Sequence, residues 1–202
     1  MTAKLDDTLL RLAVQALRDA DFSEISLRSL AKRIGVSMPT LYKRFGSKNG
    51  LVQAMVEFEF ARMLEGVSQI AIAGLAPEDA LRRHARDLFD QFGGPTTVKF
   101  VKFLNQHEID SVELRQLRKE WHLRIVSNTA DLIGRMPSAA GMDRARMDRL
   151  AMLLIDLLRS PAGLYTLGFE MDEAMNGLSP SQYFDERYAL FQAGLGLGSG
   201  LE

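Results

Sequence analysis

The sequence predicts an all-α protein of about nine helices. Apolar residues recur every three to four positions along most of the chain, whereas the alternating pattern of strands is scarce. Serine, proline and glycine fall mainly between these periodic stretches, where helices begin and end. At 202 residues, with 47% hydrophobic and 25% charged residues, the chain is long and apolar enough to fold around a buried core.

The first four predicted helices occupy the N-terminal third. Ser26 and Ser37 are suited to cap the N-termini of two short helices, because a serine hydroxyl accepts a bond from a free amide there. Gly35 lies between these helices, and Pro39 stands in the first turn of the second, where its missing N–H costs nothing. Ser47 caps a long fourth helix. The predicted bounds are 4–20, 27–34, 38–45 and a fourth helix from about 48.

The remaining sequence predicts five further helices, separated by stretches rich in glycine and proline. The end of the chain, GLGLGSGLE, is low in complexity, and we expect its last residues to be disordered. These helices are predicted over 77–92, 96–107, 112–136, 143–167 and 181–193, with a loop over 137–141. The predicted domains are 1–50, 51–196 and a tail over 197–202.

Charge is distributed unevenly along the chain. The formal net charge is -1, but residues 1–50 hold nine Lys and Arg against five Asp and Glu, while the rest holds sixteen against 21. Between Ile25 and Gly50 there are six basic residues and no acidic one. A basic block in an otherwise acidic chain indicates a surface that binds a polyanion, and nucleic acid is the first candidate.

The basic block contains the pattern of a helix-turn-helix. Two short predicted helices are joined by Gly35-Val36-Ser37, and the second places polar and basic side chains on its outer face. Hydroxyls and basic groups suit phosphates and base edges, and Arg28 can form a bidentate pair with guanine. The candidate DNA contacts are Ser26, Arg28, Ser37, Met38, Pro39, Thr40, Tyr42, Lys43, Arg44 and Lys48.

The run ISLRSLAKRIGVSMPTLYKRFGSKNGLV closely resembles the DNA-binding domain of the tetracycline-repressor (TetR) family of bacterial transcriptional regulators. The Thr-Leu-Tyr-x-x-Phe pattern of that family stands at Thr40 to Phe45, followed by Ser47-Lys48. Two positions depart from the family pattern. Asp21 replaces the usual glycine after the first helix, and Gly50 replaces a better helix former in the fourth. The resemblance implies DNA contacts at the candidate residues already given, Lys43 excepted.

The resemblance also implies a C-terminal all-α domain that binds a small effector and forms a homodimer through its last two long helices. An effector pocket lined by aromatic and a few polar side chains is predicted at Phe103, His107, Trp121 and Tyr165, and it favours an apolar or aromatic effector. The predicted dimer contacts are Leu150, Leu154, Leu157, Leu158, Tyr188 and Phe191. The effector would change the tilt of the fourth helix and so release the operator.

Other functions are less well supported by the residues. The chain has no cysteine, and His107-Glu108 fails as a zinc-protease motif because Ser111 stands where the second histidine is required. We therefore expect no enzyme activity, no metal and no cofactor. No apolar run is long enough to span a bilayer, so we expect a cytoplasmic protein without a membrane partner. The alternative is a helical interaction module whose basic patch binds an acidic protein or membrane surface, and an activator remains as open as a repressor.

Overall fold

The structure is a computed structural model that describes residues 2–18, 27–66, 74–94, 97 and 112–197. These residues contain nine α-helices, a short 3₁₀ turn over Pro137–Ala139 and no strand, so the all-α prediction is confirmed. The helices are α1 (Thr2–Arg18), α2 (Leu27–Ile34), α3 (Met38–Phe45), α4 (Lys48–Gly66), α5 (Pro77–Gly93), α6 (Val112–Gly134), α7 (Arg144–Thr166), α8 (Met171–Ala174) and α9 (Pro180–Leu197).

The described residues form two compact units. The first contains α1 to α4, residue 97 and residues 112–119, and the second contains α5, residues 120–134 of α6, and α7 to α9. The domain boundary proposed at residue 50 would cut α4 near its start, whereas the structure groups the whole of α4 with α1 to α3. The reason lies in packing, because Leu51, Val52, Met55 and Val56 of α4 are buried in the core of the first unit.

The core of the first unit is built where α1 and α4 pack together and α2 and α3 close the remaining sides. Helix α1 buries residues at positions three and four apart, which places them on one face. Leu30 and Ala31 of α2 and Leu41 of α3 complete the cluster. Each fully buried leucine contributes about 1.5–3 kcal/mol. Two helices of only eight residues each are therefore held by packing, since such short helices are not stable alone.

The second unit has its own core. Helix α5 packs against α7 and α9, and α7 also packs against α8 and α9. Aromatic rings of α5 and α9 pack together, with ring centroids 5.8 Å apart for Phe89 and Phe184 and 5.7 Å apart for Phe184 and Tyr188. The guanidinium group of Arg82 lies 5.3 Å from the Tyr188 ring centroid and 2.6 Å from a carboxylate oxygen of Asp185. Apolar burial and these cation–π contacts join α5 to α9.

Most predicted helix boundaries agree with the structure to within two residues. Asp143 caps α7 by accepting a hydrogen bond of 2.7 Å from the backbone N–H of Arg146. The last helix differs more, because α9 continues to Leu197, four residues beyond the predicted end at Ala193. Leu195 is 5% exposed, so its burial carries the helix through Gly194, where local propensity favours a stop.

Two short elements were not predicted. Helix α8 forms in the connection before α9 and begins with a capping box. The Glu170 side chain accepts a hydrogen bond from the backbone N–H of Glu173, and the Glu173 side chain accepts one from the backbone N–H of Glu170. The segment expected to be a loop over 137–141 contains the 3₁₀ turn, whose first position is Pro137. Of the predicted helix over 96–107, only residue 97 is described. Leu197, the first residue of the predicted tail over 197–202, ends α9. Asp21 and residues 198–202 lie outside the described residues.

Candidate nucleic-acid interface

Helices α2 and α3 form the predicted helix-turn-helix. The turn between them is Gly35-Val36-Ser37, and Gly35 has φ of 74°, which a residue with a side chain rarely adopts. The backbone N–H of Val36 donates to the carbonyl oxygen of Ala31 at 3.0 Å and closes the C-terminal end of α2. The buried Leu41 holds α3 against the core, and Met38 and Phe45 pack beside it, so the opposite face of α3 is turned away from the core.

Ser37 caps α3 as predicted. Its hydroxyl accepts a hydrogen bond from the backbone N–H of Thr40 at 3.3 Å, and its oxygen lies 2.8 Å from the Thr40 hydroxyl oxygen. In this hydroxyl pair one group donates to the other, which leaves one O–H free to donate outward. A phosphate oxygen or a base acceptor is a suitable partner for that free hydrogen.

The outer face of α3 is polar and accessible. Tyr42 is 49% exposed, and Pro39 and Lys43 are exposed as well. Thr40 and Arg44 are half-buried, and Met38 is half-buried because it packs against the core of the first unit. Arg28 is exposed near the start of α2, as expected for a residue that reaches a base edge.

The junction between α3 and α4 adds a second helix N-terminus. Ser47 caps α4, because its hydroxyl accepts a bond of 3.0 Å from the backbone N–H of Gly50. The exposed Asn49 stands in the first turn of α4, where free amides and the helix dipole favour an anion. Lys48 begins α4, and its side chain lies outside what the structure describes, as does Ser26.

Three exposed residues near this surface were absent from the predicted contacts. Lys32 and Arg33 stand in the last turn of α2, and Asn49 stands in the first turn of α4. The two basic residues belong to the acid-free block between Ile25 and Gly50, so charge alone pointed to them. The helix-turn-helix pattern does not point to them, because it favours the start of α2, the outer face of α3 and Lys48.

The residues predicted for an effector pocket lie partly in the second unit. Trp121 of α6 is half-buried, and its ring meets the Phe92 ring edge-on at a centroid distance of 5.9 Å. Tyr165 is half-buried near the end of α7. Phe103 and His107 lie outside the described residues. In the described part of the chain, the predicted pocket residue Trp121 thus packs against Phe92, and we call this pair the aromatic wall of the second unit.

The residues predicted for the dimer interface fill the core of a single chain. Leu154 and Tyr188 are 0% exposed, Leu158 is 1% exposed and Phe191 is 2% exposed. Leu150 and Leu157 are half-buried and pack against the same core. Leu154, Leu158, Tyr188 and Phe191 therefore have almost no surface free for a second copy, whereas Leu150 and Leu157 keep part of theirs, and the interface itself stays a prediction.

The second unit buries one polar pair. His84 of α5 is 3% exposed and Thr129 of α6 is 0% exposed, and the His84 Nε2 atom lies 2.9 Å from the Thr129 hydroxyl oxygen. Burial lowers the pKa of His84 to about 4, an effect that the nearby Asp87 carboxylate opposes. The imidazole is therefore neutral at pH 7. Among the described residues, no group of histidine and carboxylate side chains is arranged to hold a metal ion.

The fold and the surface define a class of protein: a helix-turn-helix protein with a separate all-α unit. The family model described as bacterial regulatory proteins, tetR family, matches residues 9–55. The HTH-type transcriptional regulator EthR of Mycolicibacterium smegmatis is 32% identical over 93 residues, which is 45% of this chain and 43% of EthR. The match thus spans less than half of that relative.

Solved structures agree with the fold along nearly the whole chain. A tetR-family transcriptional regulator from Pectobacterium atrosepticum has a TM-score of 0.68 at 19% identity, covering 93% of this chain and 92% of that one. A tetR-family regulator from Mesorhizobium loti has a TM-score of 0.67 at 19% identity and covers 98% of both chains. Residues 9–55 are thus similar to the tetR family of bacterial regulatory proteins, and the fold of the chain is similar to that of the solved tetR-family structures. Within the described ranges, no helix has the length and apolar character to cross a membrane.

Proposed function

We propose that this chain is a ligand-responsive, DNA-binding transcriptional regulator, and specifically a repressor that a small apolar or aromatic effector releases from a palindromic operator. The observation that carries the proposal is the outer face of α3, where Tyr42, Lys43 and the free hydroxyl of the Ser37–Thr40 pair are accessible. The acid-free block around it attracts phosphates. A protein with this task acts in the cytoplasm.

The surface divides the work of binding in a simple way. Lys43, Lys32 and Arg33 supply positive charge for phosphates, which sets affinity without reading sequence. The N-terminal part of α3 supplies the reading groups, because Thr40 offers a hydroxyl and Pro39 an apolar contact with a thymine methyl. Arg28 reads guanine from the start of α2. This arrangement binds DNA without any catalytic step.

A single copy reads too little DNA to be selective. Helix α3 has eight residues and is about 12 Å long, so it covers only a few base pairs. We infer a homodimer whose two recognition helices lie about 34–36 Å apart, one turn of the DNA helix. The surface of the second unit supports pairing of two copies, because Met152 and Leu153 of α7 and Leu190 of α9 are 45%, 50% and 59% exposed.

This face is suited to a helical partner. Ala189, Ala193 and Gly194 are exposed beside Leu190 on α9, and small side chains allow a second helix to approach closely. Helices α7 and α9 pack against each other, and we infer that their exposed apolar residues form one two-helix surface. A two-fold arrangement would join four helices. The partner residues are therefore proposed here and not at the buried stripe predicted from the sequence.

The effector response is proposed for the aromatic wall of the second unit. Trp121 and Tyr165 are half-buried, and the Trp121 ring contacts Phe92, so these aromatic side chains suit an apolar or aromatic molecule. Phe103 and His107 stay predictions from the sequence. An effector that favours the non-binding arrangement by about 3 kcal/mol lowers DNA affinity about 150-fold. Titration of a compound library against the DNA complex tests this part separately.

The first experiment is selection of bound duplexes from a random DNA pool. We expect a palindrome whose half-sites are about one helical turn apart. Strong binding without an enriched sequence, equally effective with acidic vesicles or acidic proteins, would instead support the interaction module. An enriched site without two-fold symmetry would support DNA binding and contradict the dimer.

A further inference from the structure

Gly50, the third residue of α4, makes an unusually close approach to the end of α3. A Cβ atom built at Gly50 would overlap the carbonyl oxygen of Phe45, the last residue of α3, and would lie 3.2 Å from its carbonyl carbon. The obstacle is backbone and cannot turn aside as a side chain can. Only glycine fits this position without a shift of one helix against the other.

The hydrogen bonds of the junction hold the obstructing carbonyl in place. The Phe45 oxygen accepts a bond of 2.8 Å from the backbone N–H of Ser47, and the Gly46 N–H donates to the carbonyl oxygen of Tyr42 at 2.9 Å. The Gly50 N–H donates to the Ser47 hydroxyl oxygen at 3.0 Å. The end of α3, the turn and the first turn of α4 therefore form one bonded unit.

Backbone conformation does not require glycine at this position. Among the described glycines with positive φ, Gly35 and Gly46 lie in the turns on either side of α3, whereas Gly50 is not one of them. Glycine is also a poorer helix former than alanine, so it does not serve the stability of α4. The close approach to Phe45 is the feature that demands it.

We propose that Gly50 is a positioning residue that sets the orientation of the recognition helix α3 on α4. This inference rests on the proposed function. The proposed reading groups Pro39 and Thr40 stand on α3, an eight-residue helix whose C-terminal end is held at the junction. Hydrogen bonds to base edges weaken steeply when a donor moves or tilts, whereas the attraction of a point charge to phosphate tolerates small displacements. Displacing α3 therefore costs sequence selectivity more than overall affinity.

The test is the Gly50→Ala variant, measured for affinity to the selected operator and to a random duplex of the same length. We expect the ratio of the two affinities to fall about tenfold, with the salt dependence of random-duplex binding unchanged. Partial unfolding cannot imitate this result, because a smaller active fraction lowers both affinities by the same factor. A ratio equal to that of the wild type would overturn the inference.

The matched control is Gly93→Ala. Gly93 ends α5, and a Cβ atom there would meet only the Met171 Cε atom at 3.8 Å, an ordinary contact. This variant makes the same chemical change in a helix, and we expect it to keep the wild-type ratio. A loss of selectivity in Gly93→Ala as large as in Gly50→Ala would contradict a special role for the junction.

A second variant covers the case in which Gly50→Ala does not fold. Ser47→Ala removes the hydroxyl that holds the Gly50 amide and loosens the same junction without adding a clash. It is expected to lower the affinity ratio too, and an unchanged ratio would count against the inference. If the wild type shows no preference for any duplex, the proposed function fails. If the wild type prefers its operator and both variants keep the wild-type affinity ratio, only the role of Gly50 fails.

Discussion

The buried His84 is a single residue that links pH to stability. In the unfolded chain its pKa is about 6.5, and in the folded chain burial lowers it to about 4. Between these values the unfolded chain binds more protons, so the free energy of unfolding falls as pH falls through this window. The bond to the Thr129 hydroxyl satisfies the neutral ring without requiring a charge.

Because the unfolded chain takes up a proton at His84 that the folded chain does not, we expect the free energy of unfolding to fall by about 2–3 kcal/mol between pH 7 and pH 4.5. Urea unfolding at both pH values measures this loss. The His84→Leu variant removes the titrating group and is expected to show a smaller difference between the two pH values, although it is less stable at pH 7. His122→Leu, at the half-buried histidine of α6, is the control. Equal pH dependence in wild type and His84→Leu would contradict the assignment.

Tyr188 buries a hydroxyl group that, unlike the His84 ring, has no hydrogen-bond partner among the described residues. Its ring is 0% exposed and packs well, but its hydroxyl oxygen is buried and has no hydrogen-bond partner among the described residues. Burial also raises the pKa of Tyr188 to about 12. A buried hydroxyl without a partner costs about 1–3 kcal/mol of desolvation.

Removal of that hydroxyl is expected to stabilise the chain. Tyr188→Phe keeps the ring, its stacking on Phe184 and its contact with Arg82, and the midpoint of thermal unfolding is expected to rise. Tyr183→Phe is the control, because the hydroxyl of Tyr183 is not among the buried oxygens that lack a partner in the described part of the chain. A lower midpoint for Tyr188→Phe would show that the hydroxyl is satisfied.

At the scale of helices, sequence periodicity was a good guide wherever packing and capping agreed. The bounds of α2 and α3 were predicted to the residue, because Ser37, Pro39 and Gly35 each supply a local signal that no tertiary contact overrides. Helix α7 was also predicted through Pro161, which local propensity argues against. Burial of Leu154 and Leu158, four residues apart on the core-facing stripe, outweighs that penalty.

What the sequence could not supply was the direction in which each apolar stripe faces. A leucine stripe on a long helix fits equally well into the core of its own chain or against a second copy, and only the packing of α5 and α9 against α7 decides. The clash at Gly50 is a similar case. It depends on how close two helices come, which no spacing of residues in the sequence encodes.

Helix α3 carries the next prediction. Lys43 is exposed on its outer face, and Lys43→Ala is expected to lower the affinity for all duplexes and to reduce the slope of log affinity against log salt by about 0.9 for each Lys43 that meets a phosphate. Lys119→Ala, at the exposed lysine of α6, is the control for a general loss of charge. Binding measured at several salt concentrations decides, and identical slopes for wild type and Lys43→Ala would remove Lys43 from the interface.

At the scale of the whole molecule, the exposed apolar face of α7 and α9 predicts how copies associate. A charge placed at Leu190 would be buried without a partner in the proposed dimer, so Leu190→Glu is expected to give single chains in solution. Leu167→Glu, at a side chain that is 76% exposed outside this face, is expected to leave the dimer intact. Light scattering after size-exclusion chromatography gives the mass, and a dimeric Leu190→Glu would refute the proposed face.

Each chain buries its own Leu154, Leu158, Tyr188 and Phe191. This burial affects how operator occupancy depends on the concentration of the protein. Since each copy closes its own core, dilution is expected to separate two copies before it unfolds either of them. If the proposed dimer forms, a single chain released by dilution would stay folded but would hold DNA poorly. Below the dissociation constant of the pair, operator occupancy then grows with the square of the chain's concentration, and a twofold rise in expression gives about a fourfold rise in occupancy.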